Sequence, residues 1–307
     1  MNKLKDHYRS QKMQAVVELV KKIKGNDVNV LIIGETGSGK ELVARAIHDN
    51  SPRRDKPLVT INCASIPEHL IESELFGYEK GAFTGAYDKK IGKFELADRG
   101  SVFLDEVGNL PLPAQAKVLR LVENKEFMRL GGSETIKVDV RIIAATNQPL
   151  EKRVKEKRFR RDLYFRLAVF PIKVPPLRER KEDIPDLVDE FLDICRQNTG
   201  KNVYKVLPEV MRAFKVCRWP GNVRELENEI TRAVIEAKGD TIGLKELDPK
   251  FTPQPRRRYW TNKFDRSQKK IIETALEKCG GNINKAARIL EMHRATLYRK
   301  IKKFGEL

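Results

Sequence analysis

The chain has 307 residues, 40% of them hydrophobic and 34% charged, with a formal net charge of +18. That length allows one large domain or two to three smaller ones, each able to bury a core. No apolar run approaches the ~20 residues of a membrane span, and no secretory leader opens the sequence. The positive excess is concentrated: residues 254–307 hold 15 Lys/Arg against 5 Asp/Glu, which points to a polyanionic partner at that end. Cys63, Cys195, Cys217 and Cys279 are scattered without a C-x-x-C pair. This argues against a zinc site or disulfide framework and fits a reducing compartment.

Residues 3–24 read as a lead-in plus an amphipathic helix, apolar at Met13, Val16, Val17, Val20 and Ile23. The apolar run Val30–Ile33 then ends in GETGSGKE, comprising Gly34, Glu35, Thr36, Gly37, Ser38, Gly39, Lys40 and Glu41. A helix-period pattern follows at Leu42, Val43, Ala46 and Ile47. Strand, glycine loop and helix make a phosphate cradle, because inward-turned N–H groups need dihedrals that glycine adopts cheaply. The helix N-terminus adds positive partial charge, and Lys40 can reach terminal phosphates. Glu41 stands where a magnesium-holding Ser or Thr is usual.

LVTIN at residues 58–62 is a second strand, ending in the polar Asn62, and a helix is expected over 67–75. GYEKGAFTGA at 77–86 is too glycine-rich for a helix or strand. Its tip, Phe83 and Thr84 between Gly81 and Gly85, suits a partner contact, or else Phe83 tucks into the core. SVFLDE at 101–106 is a buried strand ending in two carboxylates, the second half of a phosphate-loop ATPase site. Asp105 would hold magnesium and Glu106 would polarise the attacking water. A helix is expected over 114–123, a turn at Gly131–Gly132, and a strand over 138–145 that ends at Thr146 and Asn147. A polar residue at that carboxyl end would face a γ-phosphate.

FRRDLYFRL at 159–167 carries Arg160 and Arg166, read either as a solvated basic helix or as arginines offered to a neighbouring subunit's phosphates. Helices are expected over 183–198, 208–216 and 223–237, a small all-α subdomain. Arg224, starting the third, either points at the nucleotide or pairs with Glu227 or Asn228. Residues 249–261 form a proline-rich, basic linker. Three helices close the chain: 264–278, a second capped by Asn282, and 293–304 with an apolar stripe at Leu297, Ile301 and Phe304. The last two read as a helix-turn-helix. His293, Arg294 and Thr296 are base-edge candidates, Tyr298 and Arg299 lie on the same polar face, and Lys300, Lys302 and Lys303 suit phosphates.

Taken together, GETGSGKE, ESELFGYEKGAFTGA (72–86), FLDEVGNLPLPAQAKVLR (103–120), RIIAATN (141–147), FRRDLYFRL, WPGNVREL (219–226) and the tail GGNINKAARIL–HRATLYRKIKKFG resemble one family. It is that of the AAA+ bacterial enhancer-binding proteins that activate sigma-54 RNA polymerase. The resemblance implies an α/β AAA+ phosphate-loop domain (1–174), a helical lid (175–248), the linker, and a small all-α Fis-type helix-turn-helix domain (262–307). It implies ATP and Mg2+, a hexameric ring, dimeric units on upstream double-stranded DNA, and a cytoplasmic, nucleoid-associated bacterial protein. It makes Gly81, Ala82, Phe83, Thr84, Gly85 and Ala86 the loop that engages sigma-54. It makes residues 130–138 a second insertion that supports that loop. It gives Arg160 and Arg166 the role of fingers in trans. Asn147 becomes sensor I, Arg224 becomes sensor II, and Asn62 the residue that restrains Glu106. Glu41 looks like the family's own variant, whereas Glu291 stands where a turn glycine is commoner. Few residues precede the ATPase region, so an N-terminal regulatory domain is expected to be absent, by nature or by shortening. A regulator of another polymerase form would not need GAFTGA intact, and a DNA-binding module with a merely structural nucleotide site would not need the carboxylate pair.

Overall fold

The computed structural model describes residue 4, residues 8–251 and residues 263–304, with side chains described over 269–301 in the last stretch. The chain divides into two compact units, residues 1–251 and 252–307.

Among the described residues of the first unit, five parallel strands form the central sheet: β1 (Val30–Ile33), β2 (Leu58–Asn62), β3 (Ser101–Asp105), β4 (Arg141–Thr146) and β5 (Phe170–Lys173), in the order β2-β3-β4-β1-β5. Parallel strands buried on both faces are apolar throughout rather than alternating, and β4 is buried along its whole length. Successive side chains serve opposite faces. Leu31, Leu104, Ile142 and Ala144 join one core, with α3 (Glu68–Phe76), α4 (Leu112–Asn124) and α5 (Arg161–Leu167). Val30, Ile32, Phe103, Ile143 and Ala145 join the other, with α1 (Gln11–Lys22) and α2 (Lys40–Asp49). The expected strand over 138–145 starts later, at Arg141, because Val138 instead bonds back to Lys125 after a hairpin of Glu126–Met128 with Thr135–Lys137. The strand over 101–106 stops at Asp105, since Glu106 turns into the left-handed region at φ 54°.

The subdomain after β5 contains α6 (Ile184–Thr199), α7 (Pro208–Val216) and α8 (Asn222–Glu236). It is not all-α: Lys205–Val206 and Thr241–Ile242 pair in parallel. Its core is built on Trp219, fully buried, stacked on Phe251 at 4.8 Å and edge-on to Phe214 at 5.5 Å, with Nε1 donating to Phe214 O.

The second unit holds α9 (Lys263–Lys278), α10 (Ile283–Ile289) and α11 (Arg294–Phe304) around Ile272, Ala275, Ala286, Ala287 and Leu297. Asn282 caps α10, accepting from the N–H groups of Asn284 and Lys285. Glu291, in the turn before α11, has φ 50°, a conformation that disfavours residues with a Cβ. Glu291→Gly is therefore expected to stabilise this unit by about 0.5–1 kcal/mol after glycine's entropic cost. The denaturation midpoint reads it, and a lower midpoint would mean that the Glu291 side chain outweighs the strain.

Candidate functional site

The site forms outside the carboxyl ends of the strands, where open α/β sheets bind ligands. β1 ends at Ile33; Gly34 N–H donates to Thr146 O at the end of β4, and Val174 N–H donates to Ile33 O beyond β5. The loop then turns through Gly37 at φ 72° and Gly39 at φ 100° into α2. At Gly37 the fold demands glycine twice over, because a Cβ would lie 2.3 Å from Gly221 O. Lys40 is buried, and its Nζ donates to Gly34 O (3.1 Å), Glu35 O (3.4 Å) and Glu106 Oε1 (3.2 Å). Glu41 sits in the first turn of α2, where its charge suits the helix dipole.

Two strands from β1, β3 delivers the carboxylates. Burial pushes the Asp105 carboxyl above its ordinary value; Lys40 opposes this and Glu106 adds to it. Glu106 N–H donates to Asp105 Oδ1 (3.0 Å), and Glu106 Oε2 accepts from Asn147 N–H (3.1 Å). Asn147 Nδ2 donates to Thr36 Oγ1 (2.9 Å), tying the end of β4 to the glycine loop.

A cavity of about 600 Å³ opens over these groups, lined by Thr36, Gly37, Gly39, Lys40, Glu41, Asn62, Asp105, Glu106, Asn147 and Arg224 among others. Arg224 is exposed there without the ion pair to Glu227 that was one reading of its position. Beside it lies a smaller hollow of about 60 Å³, between Tyr8, Leu42, Arg180, Phe191 and Val223. Ser38 Oγ and Arg180 Nε are buried without a hydrogen-bond partner, and both residues line that hollow. Buried polar atoms without a protein partner are rare and need an explanation, such as a bound water or ion.

Asn62, Glu35, Arg160 and Arg166, also expected at the site, bond elsewhere in this chain. Asn62 reaches the rim of the cavity, in register with Asp105, but does not hold Glu106. Its Oδ1 accepts from Ala64 N–H (2.9 Å), while the Glu106 oxygens are taken by Lys40 and Asn147. Glu35 does not line the larger cavity. Its carboxylate is bidentate to Arg178 (2.6 and 2.7 Å) and accepts from Asn222 Nδ2 (3.2 Å). These bonds, Arg178 first, pull its pKa down to about 2. Arg160 and Arg166 also stand away from the cavity of their own chain, paired with Asp162 (2.7 Å) and Glu123 (2.9 Å) at the surface.

Residues that sequence reasoning missed join the subdomain to the loop. Besides Arg178, Asn222 Nδ2 donates to Thr36 O (3.0 Å), Val223 N–H to Gly37 O (3.0 Å), and Arg180 to Ser38 O. Asn222 is wholly buried, and at φ 54° it turns the WPGN segment into α8. The only sequence signal was WPGN itself.

The Gly77–Ala86 segment leaves the domain from a short antiparallel pair, Gly77–Tyr78 with Lys90–Ile91. Backbone bonds close the loop on itself: Gly81 N–H to Ala86 O, Ala82 N–H to Glu79 O and Ala86 N–H to Phe83 O. Gly81, Phe83, Thr84 and Gly85 are exposed, Ala82 is half-buried and Ala86 buried. Phe83 is 44% exposed, its ring edge-on to Tyr78 at 5.0 Å, so it stays outside the core. At the loop's foot the buried Arg129 pairs with Glu79 and Glu95, both at 2.7 Å.

On α11 and the turn before it, His293, Arg294, Tyr298 and Arg299 are exposed, while Thr296 and Lys300 are half-buried. The Lys302 and Lys303 side chains, and the linker residues from 252, lie outside the described residues.

A parallel sheet with a glycine loop at the end of β1, a carboxylate at the end of β3 and another just past it, a polar residue just past β4 and an appended helical lid define an AAA+ phosphate-loop NTPase fold. The sigma-54 interaction domain matches residues 7–173, the AAA+ ATPase lid domain 178–262, and the Fis-family bacterial regulatory domain 264–304. The chain belongs to the family of sigma-54-dependent transcriptional activators. It is 45% identical over 305 residues to the formate hydrogenlyase transcriptional activator of Salmonella typhimurium, covering 97% of this chain and 44% of that one. It is 43% identical over 307 residues to the regulatory protein AtoC of Escherichia coli, covering 96% and 67%. The crystal structure of NtrX from Brucella abortus in complex with ATP aligns with a TM-score of 0.76 at 35% identity, over 96% of this chain and 68% of that one. The chain thus spans about half the length of many of the curated relatives it matches, from 35% to 56% among the first four.

Proposed function

We propose that this chain is the ATP-hydrolysing and DNA-binding part of a cytoplasmic sigma-54-dependent activator, working as a ring held on upstream DNA. The observation that carries the reading is the convergence of Lys40, Asp105, Glu106, Asn147 and Arg224 on one cavity, in a chain with an exposed GAFTGA loop and a helix-turn-helix.

The base of the nucleotide takes the hollow beside Tyr8 and Phe191, where Ser38 Oγ and Arg180 Nε lack partners. The phosphates take the glycine loop. Lys40 exchanges its bond to Glu106 for the terminal phosphates, which frees Glu106 to draw the proton of the attacking water. Two carboxylates beside one lysine form a donor set for a hard divalent cation, with Asp105 as the ligand. Magnesium, when bound there, would supply neutralisation of phosphate charge. Asn147 holds Glu106 and the loop in one frame. Arg160 and Arg166 have no phosphate within reach in their own chain, which supports their use on a neighbour's nucleotide and hence a ring. The Phe83–Thr84 tip carries the resulting movement to sigma-54. His293, Arg294 and Thr296 read base edges, and a dimer would place half-sites ~10 bp, or a multiple, apart.

Purified chain should release phosphate from ATP and bind duplex DNA with affinity that falls steeply with salt. Removing residues 254–307 should abolish DNA binding and leave phosphate release within about twofold, since the two units are separately compact. Absence of phosphate release would leave only a DNA-binding module with a structural nucleotide site.

A further inference from the structure

Gln115 lies on α4 yet faces the interior, at 0% exposure. A buried carboxamide is costly unless its donors and acceptor are met. Here they are met by backbone alone. Nε2 donates to Leu110 O (2.7 Å) and to Arg158 O (3.1 Å), and Oε1 accepts from Arg160 N–H (2.8 Å). Leu110 ends the turn that begins at Glu106: Asn109 N–H bonds to Glu106 O and Leu110 N–H to Val107 O. Arg160 is the residue that opens α5. One side chain therefore spans the gap between the turn following the carboxylates and the backbone of the arginine offered outward. A parallel link runs beside it. Gln148, next to Asn147, donates from Nε2 to Asn109 Oδ1 (2.9 Å) and accepts from Arg153, whose carbonyl accepts from Arg158 N–H (2.9 Å).

We propose that Gln115 is a positioning residue that sets Arg160 for the neighbouring subunit according to the state of the Asp105–Glu106 turn in its own. This rests on the reading of Arg160 as a finger in trans. Backbone at both ends makes the link insensitive to side-chain rotamers. A displacement of the 106–110 turn passes to residues 158–160 as one body, and a finger misplaced by about 1 Å loses on the order of 100-fold in rate.

The test uses the full chain with Gln115→Met, which keeps length and removes all three bonds. Its phosphate release is expected to fall ten- to hundredfold, with ATP affinity within twofold. In an Arg160→Ala background the same substitution should cost less than twofold, because the finger it serves is gone; an additive loss would show a structural role and overturn the proposal. Mixing adds a second arm. Gln115→Met chains combined with Glu106→Gln chains should regain phosphate release, since each Gln115→Met pocket then borrows a sound finger. Mixing Arg160→Ala with Glu106→Gln is the control. If the control regains activity and the Gln115→Met mixture does not, Gln115 acts inside its own pocket and the proposal falls. If the control itself stays silent, the trans reading of Arg160 is what fails. Should Gln115→Met not fold, Gln115→Glu is measured the same way, as it keeps the oxygen facing Arg160 N–H and loses both donors.

Discussion

A chain carrying Glu106→Gln is expected to bind ATP with nearly unchanged affinity and to release phosphate about 10³-fold more slowly. Glu106 is the carboxylate that Lys40 and Asn147 aim over the glycine loop, at 3.2 and 3.1 Å. Glutamine keeps the volume and one oxygen for Lys40, which also keeps Gly34 O and Glu35 O; the bond lost is the one from Asn147 N–H. What glutamine cannot do is accept a proton from water. Single-turnover phosphate release beside nucleotide titration separates the two effects. A loss smaller than tenfold would move the general base elsewhere; a parallel loss of ATP binding would mean that the substitution had disturbed the loop.

Thr84→Ala is expected to do the reverse: phosphate release within about twofold of the parent, and no open-complex formation at a sigma-54 promoter. Thr84 is exposed at the tip of a loop whose closure is made by backbone bonds from Gly81, Ala82 and Ala86. Truncating it removes no support from the sheet. Normal open-complex formation by Thr84→Ala would show that the loop does not touch sigma-54.

Much of the fold was legible because it rests on local rules. Four strands of the sheet are short apolar runs ended by glycine or polar residues; β5, with Pro171 inside it, was not read from the sequence. GETGSGKE and the Asp105–Glu106 pair carry their chemistry in residue type and spacing. What stayed hidden depends on distant partners. Nothing local marks Arg178, Arg180 or Arg129: Arg180 and Arg129 are buried, and all three are placed by groups far off in sequence. Nothing local marks Gln115 as buried either, since two of its three partners come from residues 158–160. The Lys205–Val206 pairing with Thr241–Ile242 is two residues long, too short for periodicity to reveal. Glu35 sat inside the phosphate motif, and nothing local said that its carboxylate would turn towards Arg178.

The glycine loop is held to the lid by its own main chain, through Gly37 O and Thr36 O, as well as by the Glu35 carboxylate. Loop and lid therefore behave as meshed gears. Phosphates that drew Thr36 and Gly37 inward would pull on α8, and with it Arg224, in the same stroke. Conversely, any force that tilts α8 reaches the phosphates without passing through a flexible side chain. Nucleotide exchange and lid rotation would then share one barrier, and a ligand or neighbour that steadied the lid would slow product release as surely as one that filled the pocket.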